Sequence, residues 1–319
     1  MPNYQGVWSL TTQMQNASAW PSVPTTALIS GGFDPNFNVL QSIDVLNIAS
    51  TGTSSDFGDL LNATSQMANG QCSSATRAIV SAGGINPSNE TDTISFATFA
   101  TTGTVSDFGN LVAVQKQFAS LSNSTRGVFS GGGHPSKSNV IQYITIASAG
   151  NATDFGDLIS TTRDLTSFAN PTRGVIGGGI ITSNTNVIQY ITIASAGNAT
   201  DFGDMTSAKR LLGSLSNSTR GIFAGGFDGS SYVNVMEYVT IASTGNALDF
   251  GDLSATSGNA AGVSDSTIGL FCGGTNGTDE VANIDKISIN TTGNASDFGD
   301  LTIARNQANG CSSAHGGIA

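Results

Sequence analysis

Short apolar segments, four to nine residues long, alternate along the chain with clusters of Gly, Asn, Ser and Thr. The segments are rich in Val, Ile, Phe, Tyr and Thr, and they are too short and too β-branched for helices, so they predict β-strands. In the segment NVIQYITI, Val140 and Ile144 face one side, while Ile141 and Tyr143 face the other. Both faces are therefore apolar, which predicts a strand in a sheet packed between two neighbouring sheets.

The strand pattern belongs to an internal repeat. The tripeptide Asp-Phe-Gly recurs six times at intervals of 47 to 51 residues, beginning at Asp56, Asp107, Asp154, Asp201, Asp249 and Asp297. A Gly precedes each copy, and Leu or Met follows it. Each unit can be divided into four strands, as in SLSNS (strand A), RGVFSGG (strand B), NVIQYITIAS (strand C) and ATDFGDL (strand D). Four strands in a unit of about 48 residues predict an all-β fold, a six-bladed β-propeller of four-stranded blades.

The two ends of the chain indicate how the ring closes. ANGCSSA at 308–314 repeats MANGQCSSA at 67–75, which leads into strand B of the second unit, whereas the first unit has WPSVP there. Because two prolines are poor partners in a β-ladder, residues 308–314 are predicted to form the innermost strand of the first blade. GVWSL at 6–10 resembles a strand D, so seven blades remain an alternative. We predict an N-terminal extension over 1–14 and one propeller domain over 15–319.

The Asp-Phe-Gly-Asp motif is either a metal or phosphate site or a structural anchor. Six copies on outer strands cannot converge on one centre, which favours an anchor: Asp accepting backbone N–H groups at the C–D turn, Phe filling the gap between blades, and Gly permitting close approach. An Arg also opens strand B in four units, at Arg77, Arg126, Arg173 and Arg220. These arginines form either a ring of cations or, as we favour, pairs with a nearby Asp or with turn carbonyls.

Composition bears on the class of partner. The net charge is -11 and only 10% of residues are charged, which argues against nucleic-acid binding because phosphates require clustered cations. No apolar run is long enough to insert in a membrane, and the N-terminus shows no Sec-type signal peptide. The three cysteines form no metal-ligand pattern, and the two histidines, His134 and His315, lie in unrelated registers. We therefore predict no catalytic residue, no metal and no cofactor.

The B–C loops differ between units, whereas the A–B and C–D turns are nearly constant. In a blade, the B–C and D–A connections lie on one face, so one face of the ring is uniform and the other is variable. The variable loops either recognise a partner or differ because nothing constrains them. The candidate binding residues are Phe33, Asp34, Phe37, His134, Phe227, Asp228, Tyr232, Asp279 and Glu280.

The Gly-Gly doublet ending strand B, the aromatic residue of strand C (Tyr143, Tyr190 and Tyr238) and that of strand D (Phe57, Phe155 and Phe202) resemble the kelch repeat, with Phe where kelch repeats usually have Trp. The repeat sequence YITIASAGNATDFGDL is similar to sequences in repeat proteins of tailed bacteriophages, especially those infecting cyanobacteria.

This resemblance covers essentially the whole chain. It implies a non-enzymatic component of a phage particle (tail, fibre or head-attached propeller) made in the host cytoplasm, with other virion proteins and a host-surface glycan or receptor as partners.

The alternative function is a depolymerase acting on host surface polysaccharide. Such an enzyme needs two carboxylates roughly 5 to 10 Å apart. Asp34, Asp228, Asp279 and Glu280 are the candidates on the variable face.

Overall fold

The computed structural model describes residues 25–50, 52–67, 69–86, 89–103, 105–133 and 135–318. Every regular element in these ranges is a β-strand, and the strands form six antiparallel blades of a β-propeller. The prediction of six blades is confirmed, and the alternative of seven is wrong. The predicted extension over 1–14, including the segment GVWSL, lies outside the described residues. No helix in the described ranges is long and apolar enough to cross a membrane.

The blades follow one another along the chain, and their strands are given from the axis outward. Blade 1 has β25 (Asn309–Ser312), β1 (Thr26–Ser30), β2 (Ser42–Asn47) and β3 (Ser55–Asp59). Blade 2 has an irregular inner segment at 69–73, then β4 (Arg77–Ala82), β7 (Thr93–Thr98) and β8 (Val105–Asn110), with the hairpin β5 (Ile85–Asn86) and β6 (Asn89–Glu90) between β4 and β7. Blade 3 has β9 (Ala119–Ser122), β10 (Arg126–Ser130), β11 (Val140–Thr145) and β12 (Thr153–Asp157).

The other three blades repeat this order. Blade 4 has β13 (Thr166–Ala169), β14 (Arg173–Gly177), β15 (Thr185–Thr192) and β16 (Thr200–Lys209). Blade 5 has β17 (Gly213–Ser216), β18 (Arg220–Ala224), β19 (Val235–Thr240) and β20 (Leu248–Asp252). Blade 6 has β21 (Ala261–Ser264), β22 (Ile268–Cys272), β23 (Asn283–Ser288) and β24 (Ser296–Asp300). Since β25 pairs with β1, the C-terminal segment supplies the innermost strand of the first blade.

Burial follows the predicted two-sided packing. In β10 all residues after Arg126 are buried, and in β11 residues from both faces are buried. The outer strand β12 buries only Phe155 fully. Phe155 is also the extra residue of a β-bulge, because Ile141 pairs with Gly156 while Gln142 pairs with Asp154. The outer strand therefore contributes one anchor to the core and leaves its other side chains toward solvent.

Hydrophobic packing joins each blade to the next. The core divides into six clusters, one at each blade interface, and each contains the Phe of one Asp-Phe-Gly motif. Phe155 of blade 3, for example, lies with Leu165 and Ile176 of blade 4. The predicted role of this Phe, filling the gap between blades, is confirmed.

The Gly of the motif contacts the C–D turn of the following blade. Gly156 has φ +148°, and a Cβ placed on it would lie 2.5 Å from the carbonyl oxygen of Gly197. Gly197 in turn donates its N–H to the carbonyl of Phe155 at 2.7 Å. The same Gly-to-Gly approach occurs at all six interfaces, ending with Gly299 against Gly52 where the ring closes. The prediction that Gly permits close approach is confirmed.

The predicted role of the Asp in Asp-Phe-Gly is wrong. All six of these aspartates are exposed, and no hydrogen bond to their carboxylates occurs in the described ranges. The acceptor at the turn is an Asn from the next blade: Asn198 Oδ1 accepts the N–H of Asp157 at 3.0 Å. The reason is strand alternation, because a strand that turns Phe155 inward must turn Asp154 outward.

The arginines that open strand B serve the frame, as favoured. Arg126 donates from its NH1 group to the carbonyl of Ile193 in the next blade at 3.0 Å and lies over the ring of Tyr143 at 4.6 Å. Equivalent pairs join the preceding interface and the next two in the same register: Arg77 with Ile146, Arg173 with Ile241 and Arg220 with Ile289. The fold therefore uses these cations as links between blades.

The axis of the wheel is filled with polar side chains. Serine hydroxyls of the inner strands donate to carbonyls of the neighbouring blade, as Ser167 does to Ser120 at 2.8 Å. Gln71 bonds Ser264 Oγ at 2.8 Å and Ser312 Oγ at 2.9 Å. Beyond β25, the residues after Ser312 turn across the axis on the uniform face. There His315 is buried with Nε2 3.1 Å from Ser122 Oγ, and burial lowers its pKa to about 4.

Candidate functional site on the variable face

The B–C loops and the D–A connections lie together on one face, which we call the variable face. Its B–C loops are 31–41, 83–92, 131–139, 178–184, 225–234 and 273–282. Each loop is anchored to the neighbouring D–A connection by a backbone bond, as between the N–H of Gly179 and the carbonyl of Lys209 at 2.9 Å. The loops are thus held on a rigid frame while their sequences differ.

The blade 1 loop presents an aromatic ring to solvent. Asp34 folds the loop: one carboxylate oxygen accepts the N–H groups of Asn36 and Asn38, both at 2.8 Å, and the other accepts Asn38 Nδ2 at 2.9 Å. These bonds lower the pKa of Asp34, the Asn38 side chain contributing most. Phe37 sits in this turn with φ 59° and a side chain that is 73% exposed. Phe33 is half-buried and pairs with Asn306 and Val39.

The blade 5 loop carries the second aromatic pair. The rings of Phe227 and Tyr232 lie 5.3 Å apart, nearly edge to face. Arg210, from the preceding D–A connection, lies over Phe227 at 5.2 Å. Asp228 accepts the N–H groups of Ser230 at 2.7 Å and Ser231 at 2.9 Å, and these bonds lower its pKa. The loop is therefore folded by its aspartate in the same way as the blade 1 loop.

The remaining candidates are dispersed. In blade 6, Asp279 is exposed, while Glu280 Oε1 accepts Asn306 Nδ2 at 3.0 Å. Phe33, Asp34 and Phe37 belong to blade 1, and His134 lies outside the described residues. The structure thus groups the other candidates by loop, in blade 1, blade 5 and blade 6, and Asn306 connects Phe33 of blade 1 with Glu280 of blade 6.

The sequence analysis missed a ring of residues around the axis. Six D–A residues, one from each interval of the repeat, adopt left-handed φ angles of 52° to 60°: Gln66, Gln117, Asp164, Leu211, Asn259 and Gln307. Backbone bonds connect them in sequence, as from the N–H of Asp164 to the carbonyl of Gln117 at 2.9 Å. They line an axial pit of about 30 Å³, which has room for little more than one water molecule.

The one carboxylate of this axial ring is Asp164. Burial raises its pKa, while Arg163 and Arg210 oppose that shift. Its Oδ2 lies 3.6 Å from Arg163 Nε and 3.9 Å from Arg210 NH1, and its buried Oδ1 has no hydrogen-bond partner. Asp164 therefore holds two arginines close to the axis, one from the connection into blade 4 and one from the connection into blade 5.

The sequence analysis also missed an open groove between the B–C loops of blades 4 and 5. The groove has a volume of about 460 Å³, and Arg210 and Phe227 line it together with Ile180, Asn184 and Asp228. The groove is shallow and mostly open to solvent, so a ligand in it would keep part of its surface exposed. The Lys and Arg residues of the D–A connections were the available signal, but they point to a groove only when three separate loops are placed side by side.

In the part of the chain that the structure describes, no three His, Cys, Asp or Glu side chains converge to form a metal site. The three cysteines are buried free thiols, and burial raises the pKa of Cys311 to about 11. The exposed chemistry of the variable face is therefore aromatic, amide, carboxylate and guanidinium.

No protein-family model matches the chain, and no curated protein matches it.

Proposed function

We propose that the protein is a non-enzymatic binding component of a tailed-phage particle, attached through other virion proteins and recognising a host-surface glycan or receptor with its variable face. The phage assignment rests on the resemblance of the repeat sequences to kelch repeats and to repeat proteins of tailed bacteriophages. The assignment to recognition rests on the difference between the two faces of the wheel.

One observation carries the recognition proposal. The Phe and Gly that recur in every unit join blades, since Phe155 packs into the next blade and Gly156 contacts Gly197, and the Arg of four units does so as well, as Arg126 bonds the next blade's carbonyl. The variable face instead presents Phe37, which lies in a turn folded by Asp34 and is 73% exposed. An exposed aromatic ring on a preformed turn is a feature of recognition surfaces, because it contributes contact area at low entropic cost.

Mass spectrometry of purified virions tests the particle assignment. We expect the protein at a stoichiometric level in washed particles, and its presence in the lysate alone would refute the assignment. A density map of the whole particle should then show the wheel with part of its variable face accessible from outside.

The depolymerase alternative has less support from the geometry. A general acid needs a raised pKa, but hydrogen bonds lower the pKa of Asp34 and Asp228, and Glu280 is bonded to Asn306. A reducing-end assay on host capsule or lipopolysaccharide distinguishes the two functions. Turnover that one carboxylate substitution abolishes would establish the enzyme and overturn the proposal.

A further inference from the structure

The distribution of positive charge singles out one region of this acidic protein. The chain has 11 Lys and Arg residues, and all of them lie in the described ranges. Four arginines link blades over aromatic rings. Lys209 and Arg305 are buried in ion pairs with Glu237 and Asp44, Lys116 pairs with Glu90, and Lys286 lies over Phe298.

The three remaining cations surround the B–C loop of blade 4. Lys137 Nζ donates to the carbonyl of Ile181 in that loop, and Arg163 exchanges backbone bonds with Ile180. Arg210 lies on the other side of the loop, in the groove. Arg163 and Arg210 also approach the same oxygen of Asp164, so their guanidinium groups are close neighbours. Against a net charge of -11, this is a local concentration of positive charge on the variable face.

Arg210 retains donor capacity. Its side chain is 27% exposed, and the contact from NH1 to Asp164 is long at 3.9 Å, so the terminal N–H groups are accessible although Nε is buried. A guanidinium with unused N–H groups is suited to a carboxylate or phosphate, which it can bind through two parallel hydrogen bonds. The groove therefore has a cation available for an anionic group.

The walls of the groove select the rest of the ligand. Ile180 and Phe227 supply apolar surface beside Arg210, and Ser183, Asn184 and Asp228 supply hydrogen-bonding groups. Apolar surface for C–H faces, acceptors and donors for hydroxyl groups, and one cation for an acid together fit an acidic sugar. A saccharide can place its acidic group on Arg210 and donate a hydroxyl to the exposed carboxylate of Asp228, whereas the side chains of an acidic peptide have no hydroxyl to donate there.

We propose that the groove between blades 4 and 5 binds an anionic saccharide, with the acidic group on Arg210 and the sugar ring between Ile180 and Phe227. The inference rests on the proposed recognition function and specifies its ligand class. Two sources share this chemistry, namely the carboxylate of a uronic acid and the phosphate of a lipopolysaccharide core sugar.

Isothermal titration with small probes tests the proposal and separates the sources. The probes are trigalacturonate, glucose 1-phosphate, the neutral trisaccharide maltotriose and a tetraglutamate peptide. We expect one of the two anionic sugars to bind at least about tenfold more tightly than maltotriose, a difference of about 1.4 kcal/mol. The binding should weaken with added salt, because the groove is exposed.

Three variants localise the site. Arg210→Met should weaken binding of the anionic sugar about tenfold or more. Lys116→Met is the matched control, since Lys116 stands in the same register of another blade, is paired with Glu90, and should leave binding unchanged. Ser183→Glu adds a negative charge at an exposed groove position and should weaken the anionic sugar but not maltotriose. Thermal unfolding of each variant verifies that it is folded, and Ser183→Glu keeps the test valid if Arg210→Met is not.

Several results would overturn the proposal: equal affinity for maltotriose and the acidic sugars, binding of tetraglutamate alone, no binding of any probe at 10 mM, or unchanged affinity in Arg210→Met and Ser183→Glu. Such a failure is distinguishable from failure of the proposed function. If the protein is found in virions and adsorbs to cells, while these two variants adsorb as the wild type does, only the saccharide inference is lost.

Discussion

Substitution of Gly156 by Ala tests whether the repeated motif holds the blades together. Gly156 has φ +148°, which an Ala adopts only at a cost of about 1 to 3 kcal/mol. The new Cβ would also lie 2.5 Å from the carbonyl oxygen and 2.6 Å from the carbonyl carbon of Gly197, which are backbone atoms that cannot rotate away. Relief of that overlap requires the blades to separate, and overpacking of this kind costs about 1 to 3 kcal/mol.

The two contributions together predict a destabilisation of about 2 to 6 kcal/mol, which lowers the melting temperature by roughly 3 to 9 °C. Gly197→Ala is the matched control, because it changes the other partner of the same contact. A Cβ on Gly197 would meet nothing within 4 Å, and its φ is outside the left-handed range. We expect its stability to change by no more than about 0.5 kcal/mol, or to rise slightly.

Urea unfolding followed by circular dichroism measures both variants. If Gly156→Ala is as stable as Gly197→Ala, the close approach between blades is not a structural requirement, and the reasoning on the role of this glycine is refuted.

Three further predictions follow from the same frame. Asp154→Asn should leave the free energy of unfolding within about 0.5 kcal/mol of wild type because its carboxylate is exposed and unbonded. Asn198→Ala should cost about 1 kcal/mol because the N–H of Asp157 loses its 3.0 Å acceptor. Denaturant midpoints measure both variants, and a larger loss in Asp154→Asn would contradict the assignment of the turn acceptor to Asn198. Arg305→Met should cost about 3 to 5 kcal/mol, because the fully buried Arg305 bonds Asp44 at 2.8 Å and connects blade 6 to blade 1. A loss below about 1 kcal/mol in chemical unfolding would show that this pair does not close the ring. Burial lowers the pKa of His315 from 6.5 to about 4, so the unfolded chain takes up a proton first as the pH falls. The free energy of unfolding should therefore fall between pH 6.5 and pH 4, by up to about 3 kcal/mol. His315→Gln should lose less stability than wild type over that interval, and parallel pH profiles of the two proteins would contradict a buried neutral histidine.

Period and strand chemistry were sufficient to predict the fold. The recurrence of Asp-Phe-Gly and the two-sided apolar pattern of strands such as Val140–Thr145 gave the six blades, because both are consequences of one packing arrangement repeated around a ring. The roles of Phe155 and Gly156 were also predictable, since a large ring and a missing Cβ have few uses where two sheets meet.

The direction of a polar side chain was not predictable from its place in a motif. Asp154 was assigned the turn bonds that Asn198 makes, because a short acceptor near a turn looks the same in sequence whether it faces the turn or solvent. The distinction depends on the alternation of the outer strand, which turns Phe155 inward and Asp154 outward.

The axial ring and the groove were missed for a different reason. The residues of the axial ring share a left-handed φ angle, but their side chains differ, as in Gln117, Asp164 and Leu211. The groove draws Ile180, Arg210 and Phe227 from three separate segments, none of which is distinctive alone. Single-sequence reasoning found Phe227 and Tyr232 as loop aromatics, but it could not supply the arginine between the loops.

Adsorption of the labelled protein to a panel of bacterial strains, with one face of the wheel altered at a time, tests the central claim most directly. The variable-face variant combines Phe37→Ser with Arg210→Met, and the uniform-edge variant combines Asp154→Asn with Asp201→Asn, both exposed positions of outer strands. The account predicts that the first variant loses adsorption at unchanged melting temperature, whereas the second adsorbs as the wild type does. Loss of adsorption in the Asp variant, with full adsorption in the variable-face variant, would contradict it.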